Sequence, residues 1–158
     1  MRAYLLTLAR TLLVTLWAGS LWTIGYLAAP VLFATLSDRT LAGTIAGMLF
    51  RAQAWLSLAC GLLLLLLIGL DKTLSSRRTP LILVVAMLAC VLTGYFGLQP
   101  LMAEIRAATA HNGGLMDDAL RSRFGMLHGL ASVIYLVQSV LAIMLVVKTS
   151  QALRSANN

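Results

Sequence analysis

Four long uncharged stretches limit what this chain can fold into more than any other feature of its sequence. Each has at least 19 residues, and they run over 11–36, 52–70, 79–103 and 124–147. About 20 apolar residues suffice for a helix to cross the hydrocarbon core of a bilayer. Because 60% of the 158 residues are hydrophobic and only 11% are charged, the excess apolar surface must face lipid. We predict an all-α integral membrane bundle, a single domain over 1–158, with four transmembrane helices at about 11–36, 49–70, 79–104 and 124–147.

The distribution of lysine and arginine predicts the orientation. Seven of these residues, both lysines among them, flank the runs on the side of the two termini, and five flank the other side. Segments rich in positive charge remain in the cytoplasm. We therefore expect a multi-pass protein of the cell inner membrane with both termini cytoplasmic, residues 71–78 in the cytoplasm and 104–123 outside it. The net charge of +7 suits anionic lipid head groups. No basic stripe with interleaved aromatics indicates nucleic acid, so the lipid bilayer is the expected partner.

A weak internal repeat relates the two halves of the chain. Residues 23–30, TIGYLAAP, and 93–100, TGYFGLQP, share a first Thr, a Gly-Tyr pair and a final Pro. A second match relates GMLFRAQAWLSL from Gly47 to GMLHGLASVIYL from Gly125. The order of the two matches favours two parallel hairpins about an axis normal to the membrane, although the few residue types of membrane helices also produce such matches by chance. Pro30 and Pro100 would bend or end the first and third helices, because proline lacks the N–H and its ring clashes with the preceding turn.

Polar side chains recur at helical spacing inside the runs. In the fourth run, His128, Ser132 and Tyr135 lie three or four residues apart, which places them on one helical face. In the second run, Gln53 begins a shorter stripe of the same kind, and a stripe of small residues in the third run ends on Glu104. Lipid cannot satisfy hydrogen bonds, so we expect these faces to turn into the bundle.

Ionisable residues cluster towards the predicted non-cytoplasmic side, and at such depth they tend to line a cavity or pathway. We predict that His128 lies within reach of Arg51 or Glu104. The structural alternative is that the polar groups only hold helices together, with Arg51 extending to the interface or paired with Glu104. The predicted ligand-binding residues are Arg51, Gln53, Glu104, Arg106, His128, Ser132 and Tyr135.

Four segments carry a family resemblance: LAAPVLF, LFRAQAW, LQPLMAEIR and RFGMLHGLAS. Together they resemble the transmembrane protein 205-like family, known in bacteria as a domain of unknown function. The strongest likeness is Phe124 with His128, Gly129 and Ser132. The resemblance implies a small four-helix membrane protein with a recurrent polar site at that end of the fourth helix, and it implies no established reaction.

These features favour a protein that binds or transports a small or lipid-like ligand. Arg51 and Arg106 would attract an anionic head group, and His128 would donate a hydrogen bond. Four helices form a thin bundle, so a transporter would need to act as a homo-oligomer or with a partner. The alternative is a scaffold or assembly subunit of a membrane complex without site chemistry of its own.

Enzymatic and cofactor functions are not indicated. His128 and Ser132 lack a third orienting group for nucleophilic catalysis, and no nucleotide or zinc-protease motif occurs. Haem ligation is disfavoured because His111 is the only other histidine and lies in a polar link. We therefore expect no enzymatic activity, no cofactor and no metal.

Overall fold

A computed structural model describes residues 2–71, 77–111 and 116–157 of the chain. Within these ranges all regular structure is helical. Two six-residue π-helical segments, Thr23–Ala28 and Thr93–Leu98, join α1 to α2 and α4 to α5. The α-helices are α1 (Arg2–Trp22), α2 (Ala29–Thr35), α3 (Arg39–Leu70), α4 (Arg78–Leu92), α5 (Gln99–His111) and α6 (Asp118–Asn157).

Four of the resulting continuous helices are long and apolar enough to cross a membrane. They are span 1 (Tyr4–Thr35), span 2 (Arg39–Leu70), span 3 (Arg78–Thr109) and span 4 (Asp118–Ala152). The predicted all-α bundle of four membrane helices is therefore confirmed. The predicted cytoplasmic position of the link at 72–76 concerns residues that lie outside the described ranges, and the orientation stays a prediction.

The helices extend beyond the uncharged runs from which they were predicted. Span 2 begins at Arg39 rather than near 49, because the Asp38 carboxylate accepts hydrogen bonds from the backbone N–H of Thr40 (2.8 Å) and Leu41 (3.1 Å). Such capping satisfies N–H groups that have no partner within the helix. At 1.5 Å per residue, Arg51 lies about 18 Å along span 2, well inside the helix.

The four spans pack as a ring in chain order. α3 packs against α1 and α4, and α6 also packs against α1 and α4. Short links make neighbouring spans antiparallel, so spans 2 and 4 run in the same direction on opposite corners of the ring. Each span contributes at least one large buried side chain to the main core, among them Trp17, Leu64, Met87 and Leu145.

A buried ion pair closes the end of the bundle that contains the start of span 1. Arg10 Nη2 lies 3.0 Å from Asp71 Oδ2, and the two side chains are only 8% and 3% exposed. Arg10 Nη2 also donates a hydrogen bond to Thr7 Oγ1 over 2.9 Å. These contacts tie the first turns of span 1 to the end of span 2.

The sequence predicted that Pro30 and Pro100 would bend or end their helices, and neither proline ends its helix. A π-helical segment precedes each proline. At the end of each segment a backbone N–H donates a hydrogen bond to the carbonyl five residues earlier: Ala29 to Ile24, and Gln99 to Gly94. Each proline then stands in the first turn of the next α-helix, where a missing N–H is tolerated. The two π-helical segments occupy matched positions of the repeat, 70 residues apart. The rotational relation of the two halves stays a prediction.

Candidate functional site

All four spans line a cavity of about 830 Å³ at the end of the bundle opposite the ion pair. In this half α2 packs on α3, and α5 packs on α6. The ends of the two hairpins therefore diverge, and the cavity lies between them. Its walls are mainly apolar and aromatic, with Phe33, Phe50, Met102 and Phe124 among them. Its volume lies within the range of ligand-binding pockets in proteins.

Most of the predicted site residues meet at this central cavity. Those that line it are Gln53 of span 2, Arg106 of span 3, and His128, Ser132 and Tyr135 of span 4. These three residues of the fourth run thus lie on the side of span 4 that lines the cavity, where His128 and Ser132 are exposed and Tyr135 is half-buried. The structure brings together groups that are up to 82 positions apart in the sequence, from Gln53 to Tyr135.

Arg51 lies in a second depression rather than in the central cavity. This outer groove, of about 540 Å³, is lined by spans 2 and 3 alone, with Met48, Arg51 and Phe96 on its walls. Gly47, Gln99 and Arg106 are among the residues that line both the groove and the cavity. Arg106 therefore stands where the two spaces meet.

Neither Arg51 nor Arg106 is neutralised by a carboxylate in the described ranges. The two ion pairs there are Arg10–Asp71 and the exposed Arg121–Asp118. Arg51 is exposed and Arg106 is half-buried, and neither forms a hydrogen bond within the described residues. An uncompensated guanidinium at the edge of an apolar cavity favours an anionic group there.

Glu104 is exposed and lines neither space, although the sequence predicted it to face inward. That prediction assumed an uninterrupted α-helix, in which Glu104 falls four turns after Cys90 and on the same face. The intervening π-helical segment has wider turns, so every later residue is rotated by about one position. Ile105, which is buried, takes the inward place instead, and the half-buried Arg106 next to it lines the cavity and the groove. No ion pair joins Glu104 to Arg51 in the described residues.

His128 stacks on Phe124 instead of bonding to a charged partner. The two ring centroids are 6.1 Å apart, with 6° between the ring planes. Within the part of the chain that is described, the imidazole forms no hydrogen bond or ion pair with Arg51 or Glu104. The Ser132 hydroxyl donates to the backbone carbonyl of His128 over 2.8 Å, so these two side chains do not form a nucleophile and base pair. Among the described residues, no three His, Cys, Asp or Glu side chains are placed to hold a metal ion.

Tyr135 is a structural wall of the cavity. Its hydroxyl donates a 2.6 Å hydrogen bond to the Leu21 carbonyl of span 1, and its ring lies directly against Gly25. Phe50 and Tyr26 both meet this ring edge to face, with centroid distances of 5.5 and 6.1 Å. The structural alternative, in which hydroxyls hold helices together, therefore describes Tyr135 well.

Gln138 is a cavity residue that the sequence reasoning missed. It lines the inner end of the cavity with Gln53, and both amides are buried. Its signal was present, since it lies three residues after Tyr135 on the same helical face. The next residue, Ser139, fits the same helical spacing. Ser139 does not line the cavity, and its hydroxyl accepts a 2.9 Å hydrogen bond from Tyr26.

Four apolar helices around a partly polar cavity define a multi-pass, all-helical membrane protein. The family described as "Domain of unknown function (DUF4149)" matches residues 12–111. This match covers more than half of the chain, and the chain belongs to that family. It ends before span 4, so His128, Ser132 and Tyr135 lie outside the matched residues. No curated protein and no solved structure matches the chain.

Proposed function

We propose that this protein binds an anionic, lipid-like ligand in the central cavity and holds it in, or moves it across, the membrane. The observation that carries the proposal is an apolar cavity of about 830 Å³ with the uncompensated Arg106 at its edge. The apolar walls would accept a hydrocarbon tail. A planar guanidinium binds carboxylate or phosphate oxygens through two parallel hydrogen bonds.

The outer groove suggests how such a ligand would enter. It opens sideways between spans 2 and 3, and Met48 and Phe96 on its walls are 66% and 56% exposed. Large apolar side chains exposed at membrane depth suit contact with lipid rather than water. Because the groove shares residues with the cavity, a lipid would pass from the bilayer along Arg51 to Arg106.

The membrane location, the orientation and the non-enzymatic role of the protein are part of the same proposal. The lysine and arginine distribution supports an inner-membrane protein whose cavity opens on the non-cytoplasmic side. The resemblance to the transmembrane protein 205-like family supports a recurrent polar site around His128. We propose a non-enzymatic role, because the Ser132 hydroxyl donates to backbone and not to the imidazole.

A scaffold function is the second candidate, and the Tyr135 and Tyr26 hydroxyls favour it. Both form hydrogen bonds between spans 1 and 4, to Leu21 and Ser139 respectively. Residues used to hold helices together need no ligand. Stable copurification of one partner protein, without ligand binding, would support this alternative.

Equilibrium binding of radiolabelled palmitate to the purified protein in an uncharged detergent tests the first proposal. We expect Arg106→Gln to weaken palmitate binding about tenfold to a hundredfold, the usual loss for a hydrogen bond to a charged group. Arg123→Gln is the matched control, since Arg123 is exposed and lines neither space. Cetyl alcohol, which has the same tail without the charge, should bind more weakly than palmitate to the unaltered protein. Absent binding, or equal affinities in all three proteins, would overturn the proposal.

A further inference from the structure

Two buried amides at the inner end of the cavity have incomplete hydrogen bonding. Gln53 and Gln138 are 3% and 4% exposed, and both line the cavity. Gln53 Nε2 donates to Ser57 Oγ over 3.2 Å. Gln53 Oε1 and Gln138 Nε2, however, are buried without a hydrogen-bond partner among the described residues.

The two amides lie at the same depth in the bundle. Phe50 of span 2 and Tyr135 of span 4 are in ring contact at 5.5 Å. Each is followed three residues later by one of the glutamines, and spans 2 and 4 run in the same direction. Gln53 and Gln138 are therefore both about one helical turn further in than this ring contact. Beyond them the bundle is closed by the apolar core that contains Leu64 and Leu145.

The Gln53 and Gln138 amides, which form the floor of the cavity, require a bound group that both donates and accepts hydrogen bonds. Buried polar groups in folded proteins are almost always hydrogen-bonded, and leaving one unpaired destabilises the protein. Gln53 Oε1 needs a donor and Gln138 Nε2 needs an acceptor. A hydroxyl group supplies both at once, and it fits either orientation of each amide.

We infer that the Gln53–Gln138 floor binds a hydroxyl at the tail end of the ligand whose anionic head is held at Arg106. This inference rests on the proposed function, and it narrows the ligand class to amphiphiles with a distal hydroxyl. On span 3, Cys90 at the inner end and Arg106 at the outer end are 16 residues apart, or about 24 Å of helix. An extended sixteen-carbon chain, with the reach of the arginine side chain, spans a distance of this order.

The test compares ω-hydroxypalmitate with palmitate in the same equilibrium binding assay. The unaltered protein should bind ω-hydroxypalmitate about tenfold more tightly, because a site with unpaired buried polar groups discriminates against a ligand that lacks the matching hydroxyl. Gln138→Leu should abolish this preference, so that the variant binds the two ligands with equal affinity. Gln99→Leu is the matched control, since it makes the same change at a half-buried cavity position nearer the outer end and should keep the preference.

The comparison in the unaltered protein needs no variant, so it stands even if Gln138→Leu fails to fold; Gln53→Met then provides the second substitution. Equal affinities of the unaltered protein for the two ligands would overturn the inference, because water would then satisfy both amides. A preference that persists in Gln138→Leu would overturn it as well. If palmitate binds in an Arg106-dependent manner without a hydroxyl preference, only this inference fails. If palmitate does not bind at all, the proposed function fails with it.

Discussion

Gly25→Ala should destabilise the protein through a direct clash with Tyr135. A Cβ added at Gly25 would overlap Tyr135 Cε1 and lie 2.7 Å from its Cζ and 2.8 Å from its Oη. The tyrosine must then move, which strains its 2.6 Å hydrogen bond to Leu21. Overpacking of this kind costs about 1–3 kcal/mol, and the lost hydrogen bond adds about 1 kcal/mol. Alanine returns at most about 1 kcal/mol through its helix propensity, which leaves a net loss of about 1–3 kcal/mol.

The repeat supplies the matched control for this substitution. Gly94 also lies in a π-helical segment, but a Cβ added there would meet no atom within 4 Å. Gly94→Ala should therefore be neutral or stabilise the protein by up to about 1 kcal/mol. Unfolding of the purified variants by SDS in mixed micelles measures both free energies. In a Tyr135→Leu background the cost of Gly25→Ala should disappear. A cost that persists in that background, or an equal loss from Gly94→Ala, would refute the reasoning.

Two further predictions concern the closed end of the bundle and the orientation. Asp71→Asn should destabilise the protein by about 3–5 kcal/mol in the same unfolding assay, because it removes the charged partner of the buried Arg10. Asp118→Asn, which removes the exposed ion pair with Arg121, should cost less than about 1 kcal/mol. Similar losses of stability in the two variants would contradict this prediction. In a variant whose native cysteines are replaced by alanine, Ser37→Cys should react with an impermeant thiol reagent in intact cells and Thr79→Cys should not. The reverse labelling pattern would overturn the predicted orientation.

Several local features could be predicted from the sequence because each depends on a short stretch of chain. The apolar runs predicted four membrane helices, since a lipid environment leaves the backbone few other ways to satisfy its hydrogen bonds. The spacing of His128, Ser132 and Tyr135 predicted a shared face because it follows the helical period, and span 4 is α-helical throughout that stretch. The paired TIGYLAAP and TGYFGLQP segments marked the two places where the helices are irregular, although proline alone predicted a bend or a break.

Hydrophobicity and helical period act locally, so the amino-acid sequence was enough to predict the class of fold, the number of spans and the shared polar face of the fourth helix. Which polar groups meet depends on how the spans pack against one another. A period of 3.6 residues predicted Glu104 inside, whereas after the π-helical turn at Thr93–Leu98 Ile105 is buried, Arg106 lines the cavity and Glu104 is exposed. The pairing of Arg10 with Asp71, and the common depth of Gln53 and Gln138, depend on which spans adjoin and in which direction they run. That arrangement follows from packing between distant segments, and no local period encodes it.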